Sequence, residues 1–117
     1  MDKQTSVLII DDEPAIVKLL ELQLTRENFD VDLARNARDG IACIQAKDYD
    51  FVLTDIRMDG LSGIDVLTYI RKQKNKKTTK VIGMSGTPWT MEGCDFDATL
   101  TKPFPFEDLM HIFRFYR

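Results

Sequence analysis

Apolar positions along the chain follow two different repeats. Short apolar runs such as Val7-Leu8-Ile9-Ile10 alternate with longer stretches in which apolar side chains recur at helical spacing. Short runs of this kind are typical of buried strands, and the longer spacing is typical of amphipathic helices. The pattern predicts strands at 7–10, 31–34, 51–54, 81–84 and 98–101, and helices at 14–27, 37–46, 63–73 and from about 105 onward.

Each predicted helix presents an apolar stripe that we expect to face a core. The stripe residues are Ile16, Val17, Leu19, Leu20 and Leu24 in the first helix, Ile41, Ala42 and Ile44 in the second, Val66, Leu67 and Ile70 in the third, and Leu109, Met110, Ile112 and Phe113 in the last. Strands and helices in alternation predict an α/β architecture with a parallel sheet and helices on both faces. Right-handed crossovers leave few topologies, and the flavodoxin-like strand order 2-1-3-4-5 makes the first and third strands neighbours.

The segment 86–97 interrupts this alternation. A parallel crossover usually contains a helix, yet this segment includes Gly86, Pro88 and Gly93 and has room for at most a turn or two of helix. We therefore expect the fourth helix of the fold to be shortened or missing. Trp89, within the segment, is either a partner anchor or a side chain that packs over the gap.

Composition narrows the class of protein. The 117 residues suffice for one hydrophobic core and predict a single domain over 1–117. The net charge is −3, and the one basic cluster, 71–77, has the pattern of a solvated helix end, so direct nucleic-acid binding is not expected. Cys43 and Cys94 predict neither a disulfide framework nor a Cys-rich metal site. No apolar run has the length of a membrane span and no signal-peptide pattern is present, so the sequence predicts a soluble, cytoplasmic protein.

Acidic residues follow two of the predicted strands. Asp11 and Asp12 follow the first strand, and Asp55 closes the run 51–55. Because the carboxyl ends of neighbouring parallel strands meet at one edge of a sheet, we expect these carboxylates to lie side by side. Crowded carboxylates need a compensating cation, and an all-oxygen site suits Mg²⁺. Asp11 or Asp12, together with Asp55, is therefore predicted to hold Mg²⁺.

Two further polar residues follow later strands at the same edge. Ser85 comes after the strand at 81–84, and Lys102 comes after the strand at 98–101. A carboxylate such as Asp55 can act as a nucleophile and form an aspartyl phosphate. Lys102 would neutralise charge on the transferring group, and the Ser85 hydroxyl would donate a hydrogen bond to it. The sequence therefore predicts a phosphoryl-accepting aspartate site.

At these positions the chain resembles the receiver domain of two-component response regulators. The matching pieces cover nearly the whole chain and are 7–14, Asp55-Ile56-Arg57-Met58 with Gly63, the strand end at Ser85, and Thr101-Lys102-Pro103-Phe104. The resemblance implies that Asp55 accepts a phosphoryl group from a histidine kinase or a histidine phosphotransfer protein. It also implies a signalling switch whose chemistry is limited to its own phosphorylation and dephosphorylation, and which acts on an output protein or domain.

The same resemblance implies the role of each site residue. Asp11, Asp12, Asp55 and the backbone carbonyl of Arg57 are implied as Mg²⁺ ligands, with Asp12 the more direct ligand of the acidic pair. Ser85 and Lys102 match the family's hydroxyl residue and lysine, and the bond from that lysine to Pro103 is expected to be cis.

Two departures from the family pattern affect switching. Three residues before Lys102 the family often has an aromatic side chain that swings inward on activation, and here the residue is Thr99. The short segment 86–97 falls where the family usually has a helix that dimerises or meets outputs. A standard dimer is therefore not assumed.

Other interpretations of the same residues stay open. Asp11, Asp12 and Glu13 also suit capping of the helix that follows. The chain is alternatively a pseudo-receiver, a binding module that does not use phosphorylation. A phosphatase of the haloacid dehalogenase type would need an acid two residues after the nucleophile, where this chain has Arg57. A stand-alone regulator, a relay intermediate and part of a larger protein are equally compatible with the sequence.

Overall fold

The computed structural model describes residues 4–58, 60–76 and 78–116. Within these residues the strands are Ser6–Ile10 (β1), Asp30–Ala34 (β2), Phe51–Asp55 (β3), Lys80–Ser85 (β4) and Ala98–Thr101 (β5). The α-helices are Pro14–Arg26 (α1), Ala37–Ala46 (α2), Gly63–Lys72 (α3) and Phe106–Phe115 (α4). The predicted boundaries fall within a residue of these, a difference comparable to that between assignment methods. Lys77 of the basic cluster lies outside the described residues.

The strands form one parallel sheet in the order β2-β1-β3-β4-β5. This confirms the predicted flavodoxin-like order. In the pairing of β1 with β3, Ile10 lies opposite Thr54. The next residue of each strand segment, Asp11 after Ile10 and Asp55 after Thr54, therefore lies beside the other at the carboxyl edge of the sheet.

Helices cover both faces of the sheet, because successive residues of a strand point to opposite sides. Val7 and Ile9 of β1 belong to one core, which they share with buried residues of α1 and α4. Leu8 and Ile10 belong to the other core, with buried residues of α2 and α3. In the first core the ring of Phe113 lies 4.3 Å from that of Phe51, centroid to centroid.

The stripes of α3 and α4 are buried largely as predicted, whereas two predicted core positions are wrong. Leu19 on α1 is 57% exposed, and Ala42 on α2 is exposed as well. Each residue advances about 100° around a helix, so Ala42 lies about 200° from the buried Ile44 and points away from the sheet. Leu19 likewise lies two residues, or about 200°, from the buried Val17 on α1 and points away from the sheet.

The segment between β4 and β5 contains a single 3₁₀ turn, Pro88–Met91, in place of an α-helix. This confirms the expectation of a shortened or missing helix. Met91 and Phe96 cover the gap, because a Cβ added to Gly83 would lie 3.0 Å from Met91 Sδ and 3.1 Å from the Phe96 ring. Trp89 is 65% exposed, so the interpretation in which its ring packs over the gap is wrong.

Arg71 of α3 anchors the end of this segment. Its guanidinium donates to the Asp95 carbonyl at 2.8 Å and to Asp97 Oδ2 at 2.8 Å. The same Asp97 oxygen accepts the backbone N–H of Val81 at 2.7 Å. Side-chain hydrogen bonds thus attach the segment to α3 and β4 where a helix is lacking. Across the described part of the chain, no helix combines the length and apolar character that a membrane crossing needs.

Candidate functional site

Three carboxylates meet at the carboxyl edge of the sheet. Asp11 follows β1, and its backbone N–H is fixed by the carbonyl of Ala34 at the end of β2, at 3.1 Å. Asp55 is the last residue of β3 and is buried, and its Oδ1 accepts the N–H of Ile56 at 3.0 Å. One oxygen from each of Asp11, Asp12 and Asp55 lies within 4.8 Å of the others. The parallel neighbours β1 and β3 thus bring together the acids that the sequence placed at their ends.

Lys102 reaches this cluster from the loop after β5. Its Nζ lies 2.8 Å from Asp11 Oδ2 and 3.4 Å from Asp55 Oδ1. Its backbone N–H is held by the Ser85 carbonyl at 2.9 Å, and its peptide bond to Pro103 is cis. Glu13 Oε1 is a further neighbour of Nζ at 3.5 Å. No sequence pattern indicates this last contact, because the geometry of the start of α1 decides which way Glu13 points.

Taken together, burial and neighbouring charges raise the pKa values of both Asp55 and Lys102, which disfavours the ionised form of Asp55 and favours the ionised form of Lys102. Burial is the main cause that raises the pKa of Asp55, and the Asp11 carboxylate adds to it, while Lys102 and the Ile56 N–H oppose it. Burial alone would lower the pKa of Lys102, but the carboxylates of Asp11, Asp55 and Glu13 outweigh burial and raise it. Lys102 therefore stays a cation, and Asp55 keeps its negative charge more readily when further positive charge is near.

Ser85 ends β4 at the same edge, but its hydroxyl is bonded within its own loop. Ser85 Oγ accepts the Thr87 N–H at 3.0 Å and lies 3.0 Å from Thr87 Oγ1 and 3.3 Å from Thr90 Oγ1. Thr87 and Thr90 were not singled out from the sequence. A pattern of Ser and Thr in a loop says nothing about which hydroxyls meet until the turn is formed.

Gly63 allows α3 to begin directly against the site. Its N–H bonds to the Ile56 carbonyl at 3.1 Å. A Cβ at this position would lie 2.2 Å from the backbone oxygen of Asp55, far inside van der Waals contact. The helix then starts with a capping box in which Ser62 accepts from Ile64 N and Asp65 accepts from Ser62 N. The glycine therefore sets how closely α3 approaches Asp55.

The capping interpretation of the first acids holds only in part. Glu13 is the N-cap residue of α1 and makes no side-chain cap hydrogen bond. Asp11 does stabilise the turn, since its Oδ1 accepts the Glu13 N–H at 3.0 Å. Its other oxygen faces Lys102. One carboxylate therefore serves both the turn and the acidic cluster.

A cleft of about 640 Å³ opens beside the cluster. Its polar end contains Asp12, Asp55, Ser85 and Lys102. Its apolar walls come from α1 and from the loop that leads into α4, and they consist of Ile16, Leu19, Leu20, Pro103, Phe104 and Phe106. The acidic site is thus open to a large molecule on one side.

The donor set suits a small hard cation. The clustered ligands are carboxylate oxygens, and Mg²⁺ prefers oxygen ligands, whereas zinc prefers nitrogen and sulfur. Among the residues that the structure describes, the three-residue acidic cluster contains neither cysteine nor histidine. The residues present therefore fit Mg²⁺.

Comparison with known proteins agrees with this fold. A family model described as the response regulator receiver domain matches residues 7–114. Response regulator ArlR of Staphylococcus aureus (strain Mu50) is 31% identical over 108 residues, which cover 91% of this chain and 49% of ArlR. The chain thus spans about half the length of the curated relatives it matches.

Solved structures of the same kind are similar over nearly the whole chain. Response regulator TrrA of Thermotoga maritima, in complex with Mg²⁺ and BeF, is 30% identical with a TM-score of 0.87, covering 97% of this chain and 100% of that one. Chemotaxis response regulator CheY4 of Vibrio cholerae has a TM-score of 0.89 at 22% identity, covering 98% and 100%, and supports the fold alone.

The chain therefore belongs to the response regulator receiver domain family of two-component systems. Members of this family are signalling domains rather than classical enzymes. Response regulators receive signals from histidine kinases and act on output domains.

Proposed function

We propose that this receiver accepts a phosphoryl group on Asp55 from a histidine kinase or a histidine phosphotransfer protein, with Mg²⁺ bound, and that residues 1–117 act as one receiver domain in the cytoplasm. The observation that carries the proposal is the buried Asp55 carboxylate, which lies against Asp11 and Asp12 and within 3.4 Å of Lys102. A nucleophilic carboxylate, acidic metal ligands and a cation for the incoming charge are the groups that this reaction needs.

The proposed metal ligands are Asp11, Asp12, Asp55 and the backbone carbonyl of Arg57. When bound, Mg²⁺ supplies positive charge that offsets the crowded carboxylates and the phosphoryl oxygens. The pKa of Asp55 is raised, so its carboxyl ionises less readily than usual. A nearby positive charge counteracts this shift and favours the ionised carboxylate, which is the form that attacks phosphorus. Response regulator TrrA was solved in complex with Mg²⁺ and BeF, which supports Mg²⁺ as the ion in this chain.

In the proposed step an Asp55 carboxylate oxygen attacks phosphorus. The bond from phosphorus to the donor's imidazole nitrogen breaks, and the imidazole keeps the electron pair and takes up a proton. Lys102 neutralises charge on the phosphoryl oxygens, and Ser85 donates a hydrogen bond to one of them. Hydrolysis later returns Asp55 to its carboxylate, so the domain catalyses only its own phosphorylation and dephosphorylation.

The cleft supports a protein as the phosphodonor. A histidine that approaches Asp55 through this cleft passes beside the apolar walls, which include Leu19, Phe104 and Phe106. Leu19 is exposed on α1 and lines the cleft together with Phe104 and Phe106, and apolar side chains grouped in this way suit contact with another protein. A donor with an apolar face around its histidine would bury this wall.

The signalling consequence is a shift between two conformations. A phosphoryl group adds negative charge at Asp55 and new acceptors for Ser85 and Lys102. That change favours one of two arrangements of the loops at this edge and thereby alters binding of an output partner. The pseudo-receiver alternative is less favoured, because Asp12, Asp55, Ser85 and Lys102 line one cleft and the buried Asp11 lies 2.8 Å from Lys102 Nζ.

The test is the intact mass of the protein after incubation with acetyl phosphate and Mg²⁺. The proposal expects a single phosphoryl adduct that requires the metal and is absent from Asp55→Asn. If no adduct accumulates, beryllofluoride binding decides the case, since rapid hydrolysis hides a short-lived product. Folded protein that gives neither an adduct nor beryllofluoride binding would make the pseudo-receiver the better account.

A further inference from the structure

A second hollow, of about 420 Å³, adjoins the acidic cluster. Apart from Asp12, its lining comes from the start of α2 and from the loop before α3, and consists of Arg35, Asn36, Arg38, Gly60 and Leu61. Asp12 also lines the cleft that leads to Asp55. Because α2 and α3 pack on the opposite face of the sheet from α1 and α4, this arginine hollow and the apolar walls of the cleft flank Asp12 from two sides.

Arg35 and Arg38 are exposed and have no internal partner for their charge. Among the described residues, neither guanidinium makes a hydrogen bond or an ion pair. Asp39, which follows Arg38 on α2, instead accepts a hydrogen bond from Asn36 Nδ2 at 3.3 Å. The two cations are therefore available to a ligand from outside the chain.

The charge of the arginine hollow favours an acidic ligand. Two cations face the single carboxylate of Asp12, in a chain whose net charge is −3. Each arginine presents a planar fork of N–H donors that matches the two oxygens of a carboxylate. Leu61, which is 43% exposed, gives the hollow an apolar border that the methylene groups of an Asp or Glu side chain would contact.

The position of the hollow suits a second contact with the phosphodonor. In the proposed function the phosphoryl group is contacted by Lys102 and Ser85, which line the cleft and not the hollow. A donor whose histidine lies in the cleft also covers Asp12, the residue that the two spaces share. Side chains that neighbour this histidine then face Arg35 and Arg38.

We infer that Arg35 and Arg38 recognise an acidic side chain of the phosphodonor protein and thereby select donors that carry Asp or Glu beside the phosphorylated histidine. The inference rests on the proposed function and adds a determinant of donor specificity to it. Complementary charges across an interface contribute specificity and speed of association. Both arginines therefore act on the capture of the donor, and neither contacts the transferring group.

The test uses the full chain with Mg²⁺ and two synthetic peptides phosphorylated on a histidine imidazole. The peptides are identical except that one carries Glu on both sides of the phosphohistidine and the other carries Gln. The intact mass of the protein, followed over time, gives the second-order rate constant of transfer to Asp55. At low salt the Glu peptide is expected to react about fivefold faster, the effect of two partly exposed ion pairs. At about 1 M salt, where charges are screened over about 3 Å, the preference is expected to disappear.

Variants assign the preference to the two arginines. Arg35→Gln combined with Arg38→Gln removes both charges and is expected to react with the two peptides at similar rates. Arg26→Gln is the matched control, because Arg26 is an exposed arginine at the far end of α1 from the acidic cluster, and it should keep the fivefold preference. The fluorine NMR signal of bound beryllofluoride shows whether each variant has a folded site, and the single variants repeat the test if the double variant does not fold.

The outcomes distinguish this inference from the function on which it rests. Equal rates for the two peptides in the unaltered protein would overturn it, and so would a preference that survives in the double variant. A loss of rate that is the same for both peptides would also overturn it, because the arginines would then attract the phosphoryl group itself.

A second measurement applies if neither peptide transfers its phosphoryl group. The two peptides are then compared as inhibitors of phosphorylation by acetyl phosphate, and the inference requires the Glu peptide to inhibit at the lower concentration; equal or absent inhibition overturns it. Absence of both the acetyl phosphate adduct and beryllofluoride binding from the unaltered protein would instead overturn the proposed function and the inference with it.

Discussion

Lys102 Nζ lies 2.8 Å from Asp11 Oδ2, and this pair is among the most enclosed charges in the described residues, with side-chain exposures of 14% and 0%. A buried carboxylate that loses its cation is left with uncompensated charge. The same ammonium lies 3.4 Å from Asp55 Oδ1, so one lysine stabilises both the resting acidic cluster and the site of phosphoryl transfer.

Lys102→Met removes the charge and keeps most of the side-chain volume. We expect the free energy of unfolding without metal to fall by about 2 kcal/mol, and phosphorylation by acetyl phosphate to slow by about tenfold or more. Mg²⁺ should restore more stability to this variant than to the unaltered protein, because the ion replaces the missing positive charge. Denaturant unfolding with and without Mg²⁺ measures this, with Lys18→Met as the control, since Lys18 makes an exposed ion pair with Glu21. Equal losses in the two variants would contradict the role given to Lys102.

Gly63→Ala tests the close approach of α3 to Asp55. The added Cβ would meet the Asp55 backbone oxygen at 2.2 Å, so the helix or the strand end has to move. We expect a loss of about 2 kcal/mol or more in the free energy of unfolding and weaker beryllofluoride binding. Gly86→Ala is the matched control, because a Cβ there meets no atom within 4 Å. Similar stability in both variants would show that the contact is easily relieved.

Arg71→Met tests the anchor of the shortened crossover. The change removes hydrogen bonds to the Asp95 carbonyl and to Asp97 Oδ2, and a loss of about 1–2 kcal/mol in the free energy of unfolding is expected. Amide hydrogen exchange should accelerate in residues 92–97 before it does in the strands. Lys72→Met, at the exposed neighbouring position on the same helix, should leave exchange in that segment unchanged.

Tyr49→Phe tests a hydrogen bond whose strength depends on pH. The buried Tyr49 hydroxyl donates to Asp32 Oδ2 at 2.6 Å, and this bond is the main cause that lowers the pKa of Asp32, with Lys47 adding to it. A carboxyl with a lowered folded-state pKa contributes stability above its unfolded value of about 3.9, and that contribution disappears as pH falls through the folded value.

The variant should therefore lose about 1 kcal/mol in the free energy of unfolding at neutral pH, a reduced figure because Asp32 is partly exposed. The difference from the unaltered protein should shrink as pH falls below about 4. Urea unfolding at several pH values measures it. A difference that stays constant down to pH 3 would mean that the hydroxyl acts by packing alone rather than through the Asp32 charge.

The sequence by itself predicted the strand order and the place of the acidic cluster. Buried strands are continuous apolar runs, and in a parallel sheet their carboxyl ends share an edge, so the positions of Asp11 and Asp55 along the chain were enough to predict that they meet. The missing helix was also predictable, because the length and the glycines of 86–97 limit what can fold there. These features depend on spacing and residue type, which are local properties.

Only the tertiary structure decided which side chains satisfy one another. Nothing in the sequence links Arg71 to Asp97, Lys102 to Glu13 or Ser85 to Thr90, because each pair meets across elements whose relative placement follows from packing. The tertiary structure also decided the orientation of Ala42 and Leu19, which are apolar and occur at helical spacing yet point away from the sheet. The spacing of hydrophobic residues determines that a helix has an apolar face. Packing against the neighbouring layers decides how much of that face is buried, and it also decides which polar groups surround the site.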